Sequence, residues 1–393
     1  ARAMNAARSA RDREQGKNFV APAGAAVVLD PRDGSVRALA SAPTFDPASF
    51  VGGISTEQFQ ALNLPDSHQP LNNRAIAGDY APGSTFKLAT AIAALSTGML
   101  DPRTTVNDGG TYKVKNCVGE RCVFQNALKE AHGLVNLQRA ITVSSDVFFY
   151  GLGDQFWQRR ATLPNAIQNA ATGLGLGNKT GIGLLGEHAG RVPTPASLKA
   201  LHDANPKAFP NGGEWRTGNN INLSIGQGEL VVTPLQLAQA YAAFAEKGHG
   251  YVPRVASEAL TTTAKGATVA ATFGPKAVAG TPIDDAVMGP IVAGLRGVVT
   301  DPKGTAVNAF AGFPLSQFPI AGKTGTAQVR GKQDTALFAA YAPANDPQWA
   351  ISVVLEEAGF GGSVAAPVAR RIFDAILGRA DDAAADVVNS GAD

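Results

Sequence analysis

The sequence is poor in cysteine and in charge, and it lacks long apolar runs. Two of its 393 residues are cysteine, and 17% are charged. No stretch approaches the roughly 20 consecutive apolar residues that cross a bilayer, so the sequence predicts no membrane-spanning helix. The five histidines show no His-Glu-x-x-His pattern, and two cysteines alone do not make a zinc site. We therefore expect no metal site.

An excess of one charge sign is also missing. The 34 basic and 32 acidic residues leave a formal net charge of +2, which gives no electrostatic support for binding nucleic acid. The glycine-rich segments 173–183 and 226–228 do not match the Gly-x-x-x-x-Gly-Lys-Ser/Thr pattern, so nucleotide binding is not predicted. With 45% hydrophobic residues, the chain can bury a sizeable core in one large domain or two.

The first candidate catalytic pair is Ser84 and Lys87. A Pro-Gly pair precedes Ser84 and the alanine-rich apolar run 88–95 follows it, which predicts that a helix begins there. The spacing of three places Lys87 on the same helix face as Ser84, where a desolvated amine can take the hydroxyl proton. A serine N-cap with a solvated lysine has the same pattern, so this pair alone does not decide the function.

Two further motifs follow along the chain. Ser144-Ser145-Asp146 is the only Ser-x-Asn/Asp triplet, and taken alone it is better explained by a helix cap or turn than by catalysis. Lys323-Thr324-Gly325-Thr326 opens a β-like run and sets one cation and two hydroxyls beside a glycine, where a ligand backbone could approach closely. A second Lys-Thr-Gly, at 179–181, lies among glycines and is interpreted as a loop.

In this order, Ser-x-x-Lys, Ser-x-Asn/Asp and Lys-Thr-Gly resemble the signature of penicillin-binding proteins and serine β-lactamases. The resemblance covers roughly residues 24–378. The segments that look like a class B penicillin-binding protein are Asn73-Arg-Ala-Ile76, Tyr80-Ala-Pro-Gly-Ser-Thr-Phe-Lys87, Ser224-Ile-Gly-Gln-Gly228 with Thr233-Pro234, and Lys323-Thr-Gly-Thr-Ala-Gln328. Asp146 occupies the third position of the Ser-x-Asn/Asp motif, where Asn is commoner in the family. An Asp at this position resembles the elongation-type penicillin-binding protein 2 branch.

This resemblance implies an acyl-enzyme mechanism on peptidoglycan stem peptides. Ser84 would attack the carbonyl of the D-Ala-D-Ala bond, and neutral Lys87 would accept its proton. Ser144 would pass a proton to the leaving D-Ala. Asp146 would hydrogen-bond Lys87 or the donor peptide. An amine of a neighbouring stem peptide would then form the cross-link, and β-lactam antibiotics would acylate the same serine.

The resemblance also assigns binding roles to the predicted strand. Lys323 would keep a positive potential over the groove. Thr324 and Thr326 would bind the terminal carboxylate of the donor, with Gly325 between them. The backbone N–H groups of Ser84 and Thr326 would form the oxyanion hole. The implied reaction requires no metal and no organic cofactor.

Strand-like runs lie near both ends of the chain, in 19–40 and 319–356, and mainly helical patterns fill about 70–250. Within that region the sequence predicts helices over 137–143, 148–160, 163–171 and 235–246. One antiparallel sheet must then be assembled from the two ends. This agrees with the α+β fold that the resemblance implies, the penicillin-binding transpeptidase (serine β-lactamase-like) fold. That fold is a five-stranded antiparallel sheet flanked by helices, with an inserted helical subdomain.

The domain limits follow from composition. Residues 1–18 are charged and rich in alanine and arginine, and we expect a linker remnant or a frayed helix. Residues 19–378 would form the transpeptidase domain. The segment 379–393 is acidic and rich in small residues, and we expect a disordered tail.

Cys117 and Cys122 flank the sequence Val-Gly-Glu-Arg. Outside the cytosol, such a pair across a glycine-containing turn would form a small disulfide loop, and two free thiols are the alternative. The resemblance implies a place on the extracytoplasmic face of a bacterial membrane, with the anchor helix absent from this sequence. It also implies a membrane glycosyltransferase of the cell-wall machinery as a partner.

Other functions remain open at this stage. A serine β-lactamase would need a group that activates water, and no Glu-x-x-x-Asn-like element stands out at a fitting place. A D,D-carboxypeptidase differs only in using water as the acceptor. From another class, the chain would be a β-lactam-binding sensor or a non-catalytic cell-wall scaffold. The three intact motifs argue against a scaffold.

Overall fold

The structure is a computed structural model that describes residues 2–12, 15–115, 117, 119, 122–209, 211–263 and 266–379. Its helices are α1 (Arg2–Arg8), α2 (Thr56–Asn63), α3 (Arg74–Ala77), α4 (Lys87–Ser96), α5 (Leu137–Thr142), α6 (Asp146–Gln158), α7 (Ala166–Gly173), α8 (Pro195–Ala204), α9 (Thr217–Ser224), α10 (Pro234–Ala245), α11 (Asp285–Thr300) and α12 (Ala366–Ile376). Its strands are β1 (Gly24–Leu29), β2 (Val36–Ala42), β3 (Val106–Asp108), β4 (Thr111–Lys113), β5 (Val123–Gln125), β6 (Gly133–Val135), β7 (Gly250–Tyr251), β8 (Glu258–Thr263), β9 (Gly266–Thr272), β10 (Ala277–Val278), β11 (Ala321–Ala327), β12 (Thr335–Ala342) and β13 (Trp349–Leu355).

A five-stranded antiparallel sheet, built from both ends of the chain, organises these elements. Its strand order is β11-β12-β13-β1-β2. Strand β1 pairs with β13 from Gly24↔Leu355 to Leu29↔Ala350, so the N-terminal hairpin extends the C-terminal three strands. The predicted α+β fold is confirmed, including the assembly of one sheet from two segments distant in sequence.

The two faces of the sheet enter two separate hydrophobic cores. On β12, the side chains of Leu337 and Ala339 belong to one core and that of Phe338 to the other, as expected when successive side chains point to opposite faces. Helix α10 packs on the first face and α12 on the second. Because helices cover both faces, every residue of β12 is buried.

The segment between β2 and β11 supplies most of the helices. The predicted helices 137–143, 148–160, 163–171 and 235–246 correspond to α5, α6, α7 and α10. The prediction omitted α8 and α9. Helix α9 is mainly polar, so its sequence has little periodicity, and it is held by tertiary contacts such as the 3.0 Å hydrogen bond from Ser224 Oγ to Phe149 O. Within the described ranges, no helix is both long and apolar enough to cross a membrane.

The N-terminal segment is helical in part, as one of the two expected alternatives proposed, but this helix is packed rather than frayed. It contains helix α1, and its Ala3, Met4 and Ala7 are buried in the core shared with α12. Asp12 accepts a 2.9 Å hydrogen bond from Gln333 Nε2. Apolar burial and this contact make the segment part of the folded body, which composition alone did not reveal. The predicted tail 379–393 lies outside the described residues, apart from Arg379.

The hairpin β4–β5 lies beside α6. In the structure, Cys117 and Cys122 form a disulfide in the segment that connects these two strands. The N–H of Val114 donates a 2.9 Å hydrogen bond to the carbonyl of Cys122, next to this bond. The pair therefore ties the two strands together near the tip of the hairpin.

Candidate active site

Ser84 lies in a single 3-10 turn, Gly83–Phe86, that leads directly into α4. Gly83 has φ +52°, a left-handed value that glycine adopts without cost. A Cβ at this position would lie 2.5 Å from Thr326 O, so only glycine lets the turn approach β11 this closely. The Pro-Gly signal in the sequence therefore corresponds to a tight helix entry packed against the sheet edge.

Lys87 is the first residue of α4 and is fully buried. Its Nζ lies 2.6 Å from the carbonyl oxygen of Ser144, 3.1 Å from Ser144 Oγ and 2.7 Å from Asp146 Oδ1. The same ammonium lies 5.3 Å from the ring centroid of Phe149. The structure thus brings together two motifs that the sequence keeps far apart.

The turn that carries Ser144 has an unusual backbone. Ser144 has φ +60°, a left-handed conformation that costs a serine roughly 1–2 kcal/mol. The next residue, Ser145, is the N-cap of α6 and accepts a 3.1 Å hydrogen bond from the N–H of Phe148. This geometry points the carbonyl and the hydroxyl of Ser144 at the same ammonium.

The contacts of Lys87 limit how its proton can move. The Lys87 ammonium donates hydrogen bonds to Ser144 O and Ser144 Oγ and forms an ion pair with Asp146 Oδ1. Of these three groups only the Ser144 hydroxyl can also donate. When Lys87 is neutral, Ser144 Oγ–H can therefore turn its proton towards the nitrogen lone pair, which is a chemical route for proton transfer.

The Lys-Thr-Gly segment lies on β11, at the edge of the sheet. Lys323 and Thr324 are 1% and 2% exposed. Lys323 Nζ lies 3.2 Å from Thr324 O and 3.4 Å from Thr324 Oγ1. The hydroxyls of Thr324 and Thr305 are 2.7 Å apart, a contact that no sequence signal indicated. The lysine charge thus lies behind Thr324, whose side chain lines the groove described below.

The backbone of β11 runs close to the turn that carries Ser84. A Cβ at Gly325 would lie 2.9 Å from Pro82 O, and one at Gly83 would lie 3.3 Å from Thr326 N. Gly361 N–H donates to Thr326 Oγ1 at 3.3 Å. This close packing brings the N–H region of Thr326 next to Ser84, while the oxyanion hole itself stays a prediction.

A groove of about 700 Å³ joins the three motifs. Ser84, Ser144, Asp146 and the segment 324–326 line it, whereas Lys87 and Lys323 lie behind its wall. Sequence reasoning did not single out the other lining residues, which are Val123, Phe124, Gln125, Asn126, Ala127, His132, Val143, Tyr150, Asn222, Ile225, Gln227, Gly228, Gln328, Val329, Arg330, Asp334 and Phe360. Of these, Ile225, Gln227, Gly228 and Gln328 lie in segments that carried a signal, through the resemblance.

Two titratable groups in this wall are held in their neutral forms. Burial lowers the pKa of the His132 imidazole, and the nearby carboxylates of Asp108 and Glu130 only partly offset this effect. Burial, with the negative charge of Asp146, raises the pKa of the Tyr150 hydroxyl. Both groups therefore contribute hydrogen-bonding capacity and no charge at neutral pH.

The second Lys-Thr-Gly copy, 179–181, has a structural contact. It lies in a loop, as predicted. The N–H and the hydroxyl of Thr180 both donate to Glu187 Oε1, each at 2.6 Å. This pair of hydrogen bonds closes the loop, and none of the three residues lines the groove.

Comparison with known proteins agrees with this geometry. The family model described as penicillin binding protein transpeptidase domain matches residues 24–374. The protein named peptidoglycan D,D-transpeptidase MrdA of Acinetobacter baumannii is 36% identical in an alignment 380 residues long, which covers 89% of this chain and 50% of that protein. The chain spans about half the length of the curated relatives it matches.

Solved structures give the same result. Pseudomonas aeruginosa PBP2 in complex with WCK 5153 is 32% identical and superposes with a TM-score of 0.75, covering 96% of this chain and 73% of that one. A structure described as the coordination of polymerization and crosslinking by a peptidoglycan synthase complex is 29% identical, with a TM-score of 0.75, and covers 96% and 59%. The chain therefore belongs to the penicillin-binding protein transpeptidase family and, within it, to the class B proteins of the PBP2 type.

Proposed function

We propose that the chain is a peptidoglycan D,D-transpeptidase that cross-links stem peptides through an acyl-enzyme on Ser84. The observation that carries this proposal is the contact of buried Lys87 with Ser144 and Asp146 in the wall of the groove that Ser84 lines. The similarity to proteins named peptidoglycan D,D-transpeptidase supports the reaction class.

Acylation uses the proton route described above. Ser84 Oγ attacks the carbonyl carbon of the penultimate D-Ala, and its proton passes to neutral Lys87. The oxyanion is stabilised by the N–H groups of Ser84 and Thr326. Ser144 delivers its proton to the amine of the terminal D-Ala, and Lys87 returns the proton taken from Ser84 to Ser144. The C–N bond breaks, D-Ala leaves, and an ester remains on Ser84.

The second half-reaction reverses these roles. An amine from a neighbouring stem peptide attacks the ester carbonyl and loses a proton through the same Ser144–Lys87 pair. A new amide forms, and Ser84 regains its proton. Because water would give a shortened donor instead of a cross-link, the fate of the acyl group distinguishes a transpeptidase from a carboxypeptidase.

Substrate binding is assigned to β11. Thr324 and Thr326 offer hydroxyls to the terminal carboxylate of the donor, and Gly325 leaves room for its backbone. The Lys323 ammonium, 3.4 Å from Thr324 Oγ1, adds positive potential behind that hydroxyl. A cation held behind a neutral hydrogen-bond donor favours binding of the donor peptide's carboxylate without forming a direct ion pair with it.

The test is intact-protein mass spectrometry after incubation with benzylpenicillin. We expect a stable adduct on the wild type and on Ser55→Ala, whose serine caps the exposed helix α2, and no adduct on Ser84→Ala. Rapid loss of the adduct would instead indicate a β-lactamase. Absence of any adduct from the folded wild type would remove the assignment of Ser84.

A peptide assay then identifies the acceptor. A stem peptide ending in D-Ala-D-Ala is incubated with a second stem peptide that carries a free amine. A cross-linked dimer supports the transpeptidase, whereas the shortened donor alone indicates a D,D-carboxypeptidase. Acylation without turnover of either peptide indicates a β-lactam-binding sensor.

We also propose that the protein works on the extracytoplasmic face of the bacterial membrane beside a glycosyltransferase. The Cys117–Cys122 disulfide supports an oxidising compartment. The similarity to a solved peptidoglycan synthase complex supports the partner. Purification of the full-length protein from detergent-solubilised membranes should also recover glycan-polymerising activity. Its recovery only from the cytosolic fraction would contradict this proposal.

A further inference from the structure

A buried polar cluster lies directly behind the turn that carries Ser144 and Asp146. Its members are Asp108 at the end of β3, Asn126 after β5, and Ser145. All three are 3% exposed or less. A buried polar group costs free energy unless its hydrogen bonds are made, so a cluster of three indicates a specific arrangement.

Asp108 is the centre of this cluster. Its Oδ2 accepts a 2.5 Å hydrogen bond from Ser145 Oγ. Its Oδ1 accepts from Gly110 N–H at 2.8 Å, and both oxygens lie 2.9 Å from Asn126 Nδ2. The three donors, Ser145 Oγ, Gly110 N–H and Asn126 Nδ2, are neutral groups, whereas the acceptor is a carboxylate. Hydrogen bonds to a charged acceptor are stronger than those between neutral groups.

Asn126 connects the cluster to the start of α6. Its Oδ1 accepts a 2.9 Å hydrogen bond from Val147 N–H, and its Nδ2 also donates to Glu130 O at 2.7 Å. Ser145 Oγ accepts from Phe148 N–H. Two otherwise unpaired N–H groups of the first helical turn are thus satisfied by side chains that Asp108 orients.

The geometry points to Asp108 as a positioning residue for acylation. Its carboxylate fixes Ser145 and Asn126, and these two fix the backbone on both sides of Asp146 and the left-handed conformation of Ser144. The 3.1 Å contact from Lys87 Nζ to Ser144 Oγ and the 2.7 Å contact to Asp146 Oδ1 depend on that backbone. This inference rests on the proposed acyl-serine function.

The chemistry of the cluster explains why an amide cannot replace the carboxylate. Asn126 Nδ2 must face residue 108 because its Oδ1 is used by Val147 N–H. In Asp108→Asn the new NH₂ group must therefore point at Ser145 Oγ. That oxygen already accepts from Phe148 N–H, and its own proton then has no acceptor in the cluster. The turn must shift or leave a buried donor unpaired.

The experiment separates positioning from general stability. Acylation by benzylpenicillin is followed by rapid quench and mass spectrometry, which gives the dissociation constant of the first complex and the acylation rate constant at saturation. We expect Asp108→Asn and Ser145→Ala each to lower the rate constant about tenfold to a hundredfold, with the dissociation constant within about twofold of the wild type. The double variant should lose little more than either single one.

Asp30→Asn is the matched control. Asp30 is also a buried, hydrogen-bonded carboxylate and is 3% exposed. It directly follows β1, and its partners are Arg32 before β2 and Arg37 in β2. Strand β2 is the edge of the sheet opposite β11. The Asp30→Asn variant should have a lower melting temperature than the wild type but the same acylation rate constant. If Asp108→Asn does not show a cooperative melting transition, Ser145→Ala decides the result alone.

Two outcomes would overturn the inference. One is an unchanged acylation rate constant in folded Asp108→Asn and Ser145→Ala. The other is additive losses in the double variant, since independent residues add. Failure of the proposed function is a separate result, because the wild type itself would then form no adduct at Ser84.

Discussion

Lys87 Nζ and Asp146 Oδ1 lie 2.7 Å apart, with the lysine side chain fully buried and the aspartate 17% exposed. The pair joins the first residue of α4 to the first residue of α6. A carboxylate this close favours the charged form of the lysine, whereas the proton abstraction from Ser84 that we propose needs the neutral form. Asp146 therefore holds Lys87 in place while opposing the loss of its proton.

The first prediction concerns this opposition. In Asp146→Asn the amide keeps nearly the same size and shape as the carboxylate but carries no charge. The lysine should lose its proton more readily, so the acidic limb of the acylation-rate profile should move to lower pH. The measurement is the rate of benzylpenicillin acylation between about pH 5 and pH 9 on wild type and variant.

Asp203→Asn provides the control for charge alone. Asp203 pairs with Lys199 on the surface of α8, where both side chains are more than half exposed. This variant changes the net charge by the same amount, and its pH profile should match that of the wild type. If Asp146→Asn moves the acidic limb to higher pH or leaves it in place, the Asp146 carboxylate does not oppose proton loss from Lys87.

The second prediction concerns Gly83. Gly83→Ala requires an alanine at φ +52° and places its Cβ 2.5 Å from Thr326 O, so the turn must move away from β11. We expect acylation to fall by about a hundredfold, because Ser84 is the next residue. Rates of adduct formation measure the loss, and thermal melting measures the cost in stability.

Gly98→Ala isolates the backbone contribution. Gly98 has a similar φ of +66°, and no atom lies within 4 Å of the position that a Cβ would take there. This variant should cost about 1 kcal/mol of stability and leave acylation unchanged. Equal acylation rates in the two glycine variants would show that the close approach of Gly83 to Thr326 has no catalytic consequence.

The third prediction concerns the disulfide. Alkylation of the unfolded protein should add two alkyl groups only after reductant, and the native mass should be about two hydrogens below the reduced mass. Because the bridge closes a short loop, its loss in the variant Cys117→Ser/Cys122→Ser should cost about 2 kcal/mol. Urea unfolding measures this cost. Equal native and reduced masses would mean two free thiols.

The fourth prediction concerns acid stability. Burial alone would raise the pKa of Asp30, but hydrogen bonds from Arg32 and Arg37 outweigh burial and hold the pKa at about 2. A carboxyl whose pKa is lowered on folding contributes stability above its unfolded pKa and loses it as the pH falls. The melting temperature of Asp30→Asn should therefore fall less steeply than that of the wild type between about pH 4 and pH 2.

Asp66→Asn is the control for this measurement. Asp66 is exposed on the surface, so removing its charge should leave the slope of melting temperature against pH close to that of the wild type. A slope unchanged in Asp30→Asn would show that other carboxyls carry the acid sensitivity of the fold.

Local sequence predicted much of the structure because several elements are specified by short-range physics. The Pro-Gly pair before Ser84 and the apolar run after it specify a helix entry, and α4 begins at Lys87. The clusters of strand residues at both chain ends specify the sheet. Polar helix α9 was not predicted, since its helical state depends on contacts with α6.

The residue types of the three motifs were therefore determined by the sequence, together with their order and their place on helix, turn and strand. Tertiary structure alone decided that Lys87 contacts Ser144 and Asp146, that Lys323 lies behind Thr324, and that Asp108 supports Ser145. The reason is physical. The contacts of Lys87 and of Asp108 join elements that meet only when the chain has folded, and no local preference encodes such a distance.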